Sequence, residues 1–89
     1  MKTLRDCEQT VKVGDIVATE FWGKIKICMV VEYRPDRRSL EGLDKYLVKV
    51  IRDDMTPLKT GSTYWMTSWA MHQRFSPISE LPETIKKIN

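Results

Sequence analysis

Lys24-Ile25-Lys26-Ile27-Cys28-Met29-Val30-Val31-Glu32-Tyr33 has the period of two that an extended chain imposes. Ile25, Ile27, Met29, Val31 and Tyr33 share one side, and Lys24, Lys26, Cys28, Val30 and Glu32 share the other. A helix would scatter the same apolar residues around its circumference, and the run is rich in β-branched side chains. It is read as a strand whose first set faces the core. Upstream, Val11-Lys12-Val13-Gly14-Asp15-Ile16-Val17 starts to alternate, breaks at a Gly-Asp pair and resumes toward Phe21 and Trp22. That pattern predicts a strand carrying a bend, with Gly14 supplying the backbone angles and Asp15 capping through its own backbone. Gly23 marks the next turn.

Downstream, Arg34 to Lys45 has the composition of an exposed loop, with Pro35, Asp36, Ser39 and Gly42. Tyr46 to Ile51 is a second β-rich run, with Tyr46, Val48 and Val50 on one face and Leu47, Lys49 and Ile51 on the other; both faces read as largely covered. Arg52 to Ser62 returns to loop composition, and Thr63-Tyr64-Trp65-Met66-Thr67 has aromatic strand character. Trp69 to Phe75 consists mostly of helix formers with Ser68 available as a cap, so a short helical turn and a continuing strand are both open. Pro77 ends either. Leu81, Ile85 and Ile88 recur at helical spacing behind Pro82, which predicts a two-turn C-terminal helix, with a short edge strand as the alternative.

Four or five short strands separated by polar turns fit a bent antiparallel sheet or small barrel, because a parallel sheet needs crossovers of about a dozen residues or more. The order Val13-Gly14-Asp15-Ile16-Val17, then Gly23-Lys24-Ile25 with Val30-Val31, then Tyr46-Leu47-Val48, resembles the small SH3-like barrels of the Tudor and KOW kind. The resemblance covers roughly Val11 to Ile78 and implies a mainly β fold, a single SH3-like barrel of four to five bent antiparallel strands, to which the spacing read above adds a short helical turn and a C-terminal helix. The layout is also distantly similar to the plasmid-borne type II dihydrofolate reductases, whose tetramer makes the active pore. The pore-lining V-Q-I-Y segment of that family has no match, since the corresponding stretch reads Thr63-Tyr64-Trp65-Met66-Thr67, and no catalytic residue carries over.

At 89 residues the chain is expected to be one domain, with a barrel over about 11–78, an N-terminal arm over 1–10 and a C-terminal segment over 79–89. No run of about 18 apolar residues exists to span a membrane. Met1 to Thr10 carries charges without the apolar core of a signal peptide, which is read as a complete cytoplasmic chain. Fifteen Lys and Arg against twelve Asp and Glu leave a net charge of +3, compatible with nucleic acid without requiring it. Cys7 and Cys28 form no CxxC pair and His72 is the only histidine, so neither a disulfide framework nor a zinc site is argued. Both cysteines are read as reduced, partly buried thiols.

No catalytic, cofactor or metal motif is present: there is no triad partner for His72 and no phosphate loop, and Asp53-Asp54 reads as an exposed turn. The aromatic residues carry the functional reading. Ile25, Ile27, Met29, Val31, Val48 and Val50 can already fill a small barrel, so the surplus of aromatic rings must reach the surface. Trp22 beside Lys24, together with Trp65 and Trp69, is placed to stack bases, cradle cations or anchor a protein partner. Arg34, Arg37 and Arg38 are placed to contact phosphates. The expectation is a non-catalytic binding module for nucleic acid or protein, with self-association to a homodimer as a further use of the same surfaces. The alternatives are a small phage or mobile-element inhibitor that blocks a host protein, and an oligomeric enzyme with a site between subunits.

Overall fold

The computed structural model describes residues 2–38, 43–54 and 60–81. Among these residues, five antiparallel strands form one sheet: β1 Ile16–Phe21, β2 Lys24–Arg34, β3 Lys45–Asp53, β4 Thr63–Thr67 and the two-residue β5 Ser76–Pro77. The strand order is β4-β3-β2-β1-β5. Because β4 and β5 do not pair, the sheet is not closed into the expected barrel. A helix, α1 Ser68–Arg74, leads from β4 to β5, and a 3-10 turn covers Ile78–Glu80. The open choice at 69–75 thus resolves to helix, capped one residue earlier than expected: the Thr67 hydroxyl accepts from the Ala70 amide at 3.2 Å. The predicted helix around Ile85 and Ile88 lies outside the described residues.

Before β1, the Gly14-Asp15 bend does what its residues permit. Gly14 sits at φ +96°, Asp15 closes back on the Lys12 amide through its carboxylate at 2.8 Å, and the bend is held to β2 by hydrogen bonds between Gly14 or Asp15 and Val30.

Both faces of the sheet are buried, over different halves. On the first, Val17, Cys28, Val30, Tyr46, Val48 and Val50 pack under Leu4, Val11, Met71 and Phe75. On the second, Ala18, Ile25 and Ile27 pack with Leu81, Ile16, Ile51 and Ile78. Cys28 and Val30, read as the outward side of their strand, are therefore fully buried. Two bulges set this arrangement. The β2–β3 register moves from Ile27 opposite Arg52 to Cys28 opposite Val50, which leaves Ile51 extra, and from Val30 opposite Val48 to Glu32 opposite Leu47, which leaves Val31 extra. An extra residue shifts side-chain parity by one, so Tyr33 lies on the side of Tyr46, with ring centroids 5.1 Å apart, and not with Ile25 and Ile27.

The N-terminal segment packs against the sheet and α1. Leu4 is in the first core, and its amide and that of Arg5 donate to the Phe75 and His72 carbonyls at 2.8 and 3.0 Å. Asp53-Asp54 is not a simple exposed turn: the Asp53 side chain is 1 % exposed with Lys26 Nζ 3.9 Å away, and Asp54 pairs with Arg52 at 2.9 Å. Cys7 is half-buried and Cys28 buried, both as free thiols. Burial pushes the Cys28 thiol pKa up, which makes it a poor nucleophile.

Candidate nucleic-acid interface

Among the described residues, the second sheet face is covered by Ile78 and Leu81 only where β1 meets the start of β2. Farther along, the register collects outward-facing residues from three strands. Arg34 stands opposite Lys45, Glu32 opposite Leu47, and Met29 opposite Lys49. On the other side of β3, Lys45 faces Thr67, Leu47 faces Trp65 and Lys49 faces Thr63. Side chains at directly paired positions project to the same side, so Arg34, Lys45, Lys49 and Trp65 share one surface. Arg34, Lys45, Lys49 and Trp65 are exposed, with half-buried Leu47 and Met29 between them. The Arg34 guanidinium lies 4.6 Å from the Trp65 ring centroid, a stacked cation on an indole face. Glu32 is the one acidic residue among these paired positions.

This surface continues into the β2–β3 loop. Arg34, Arg37, Arg38 and Lys45, with Pro35, Asp36 and Leu43, line an open groove of about 530 Å³. Asp44 organises it. Its carboxylate accepts from the Tyr33 hydroxyl at 2.6 Å and the Asp36 amide at 2.8 Å, while its carbonyl accepts from the Ser68 amide at 2.6 Å. The Tyr33 hydrogen bond, and then the Asp36 amide, hold the Asp44 carboxyl below its usual range; the same bond pushes the Tyr33 phenol up to about 12. Asp36 in turn takes Arg38 Nε at 3.3 Å. The carboxylates thus tie Asp36 and Arg38 to the ends of β2 and β3, and Arg37 stands exposed with no ion pair among the described residues.

Of the residues singled out in the sequence, Arg34, Arg37, Arg38 and Trp65 come together here. Trp22 and Lys24 do not: they lie at the other end of β2, which at 11 residues is roughly 35 Å long. Trp22 is 86 % exposed. Trp69, 58 % exposed, lies on α1 in a separate groove with Leu4, Arg5, Glu8 and His72. There His72 Nδ1 donates to the Ser68 carbonyl at 2.7 Å, a bond within the helix. Lys45, Lys49 and Asp44 were not singled out, because nothing local distinguishes them; only strand pairing places the two lysines beside Trp65.

Among the described residues, no group of three His, Cys, Asp or Glu side chains could hold a metal ion, and no helix is long and apolar enough to cross a membrane. No family model, curated protein or solved structure matches the chain.

Proposed function

We propose that the protein is a non-catalytic module that binds single-stranded nucleic acid across the Arg34, Lys45, Lys49 and Trp65 face, with Arg37 and Arg38 extending the phosphate track. The observation that carries this reading is the gathering of three exposed cations around one exposed indole on the same side of the sheet. An indole face accepts any base by stacking, and neighbouring cations follow the backbone without reading sequence. Guanidinium groups add forked hydrogen bonds to phosphate oxygens. A purely apolar protein interface would have no use for Arg34 directly opposite Lys45, whereas a polyanion relieves that repulsion. The four-strand meander β1–β4, with the short β5 returning to pair with β1, supports the SH3-like reading of the topology, in an open form.

The test is fluorescence anisotropy of a labelled single-stranded oligonucleotide, titrated with the full chain at several salt concentrations. Binding should weaken with a log–log salt slope of about −2 to −3.5 if three to five phosphates are neutralised. Trp65→Ala should cost about 1–3 kcal/mol of binding, the worth of one stacked base. Absence of binding at low salt, or binding that Trp65→Ala and Lys45→Ala leave unchanged, would overturn the assignment.

A further inference from the structure

The hairpin joining β1 to β2 closes through Trp22 and Gly23, between the paired residues Phe21 and Lys24. Both turn residues have positive φ, 56° at Trp22 and 79° at Gly23. That is the signature of a type I′ turn, whose first position favours Asn, Asp or Gly. A bulky side chain in the left-handed region is costly, and this one recovers little within its own chain. The ring packed on it is Phe21, edge-on at 5.7 Å and itself 67 % exposed. Backbone strain that holds two solvated rings at an apex points to a contact made outside the chain.

An open groove of about 580 Å³ lies between the N-terminal segment and α1. Leu4 and the indole of Trp69 provide its apolar lining, and Arg5 and Glu8 are charged residues of its wall. It adjoins the end of the sheet where Lys45 pairs with Thr67, whereas the apex projects beyond the end where Lys26 pairs with Asp53. The nine residues of β3 between these ends span roughly 30 Å, so an apex cannot enter the groove of its own chain.

We infer that the Phe21-Trp22 apex of one copy seats in the α1 groove of a second copy, head to tail. The groove volume falls within the roughly 300–1,000 Å³ of sites that enclose drug-sized molecules, so an indole fits. The charges complement one another: Glu20 and Lys24 flank the apex, and Arg5 and Glu8 flank the groove. Each copy keeps one free apex and one free groove, so the contact propagates into an open chain and not a symmetric dimer. Two rings bury roughly 300–500 Å², well below the 1,200–2,000 Å² of a standard interface, so assembly is weak and depends on concentration. None of these residues belongs to the Arg34–Trp65 face, and the inference stands independently of nucleic-acid binding.

Sedimentation velocity on the full chain tests it, over a range from about 10 µM to about 1 mM suited to an interface of this size. Two variants change only exposed positions: Phe21→Ser with Trp22→Asn removes the apex, and Trp69→Glu places a charge in the groove. The unmodified chain should sediment faster as concentration rises, while each variant stays monomeric. An equimolar mixture of the two should form a one-to-one dimer and nothing larger, because one partner keeps the groove and the other the apex. A monomeric unmodified chain at the highest concentration, a mixture that stays monomeric, or a variant that assembles like the unmodified chain overturns the inference.

Discussion

Arg34 and Lys45 are directly opposite one another on β2 and β3, two positive charges on the same side of the sheet. Like charges at paired positions oppose folding by roughly 0.2–1 kcal/mol. Lys45→Glu turns the repulsion into an attraction, so urea denaturation should show a gain of a few tenths to about 1 kcal/mol. The same substitution should lower oligonucleotide affinity at least about tenfold at low salt, since a phosphate contact is lost and a repulsive charge gained. Loss of stability together with unchanged affinity would mean that the pair serves neither purpose.

The Tyr33–Asp44 hydrogen bond should make loop stability depend on pH at both extremes. Asp44 is held below its ordinary value, so its contribution is full above the unfolded carboxylate range, about pH 4, and fades as pH falls through the lowered native value. Tyr33 is pushed up to about 12, so its contribution is full below the ordinary phenol value, about pH 10, and fades as pH rises through 12. Tyr33→Phe should therefore lower Tm by a constant amount between about pH 5 and 9, with the difference from the unmodified protein shrinking outside that window. A pH-independent difference would show that the ring, and not the hydroxyl, anchors the loop.

Met71 and Ile27 are fully buried on opposite faces of the sheet, in cores that share no member. Met71→Ala and Ile27→Ala should each cost about 2–5 kcal/mol. Their effects should add to within about 0.5 kcal/mol in a double-mutant cycle by chemical denaturation, provided the double variant still folds. Strong coupling would mean that the two faces form one cooperative core.

At the hairpin apex, Trp22→Asn exchanges a bulky side chain for one that tolerates the left-handed backbone there. Stability should rise by about 0.5–1 kcal/mol, a gain of several degrees in Tm for a chain of this size. A fall in Tm would assign Trp22 a packing role that its exposure does not suggest.

The strands from Lys24, Tyr46 and Thr63 were legible in the sequence because alternation and β-branched content are local properties. The assignment of their faces was less so. Val31 and Ile51 read as ordinary members of an alternating run, yet each is the unmatched residue of a bulge, and which strand takes the extra residue depends on a partner some 20 positions away. The surplus of aromatic side chains correctly pointed to exposed rings, but their grouping required the fold: Trp65 joins Arg34, while Trp22 and Trp69 lie elsewhere. Closure into a barrel failed as an expectation because it depends on the two edge strands meeting, and no local signal encodes that.

By itself the sequence determined a mainly β chain with turns at Gly14 and Gly23, since side-chain period and glycine's tolerance of positive φ act over a few residues. Tertiary structure alone decided which half of each sheet face is buried, that Leu4 belongs to the core, and that Lys45 and Lys49 stand beside Trp65. Those outcomes follow from register between segments distant in sequence, where displacement by one residue turns a side chain from core to solvent.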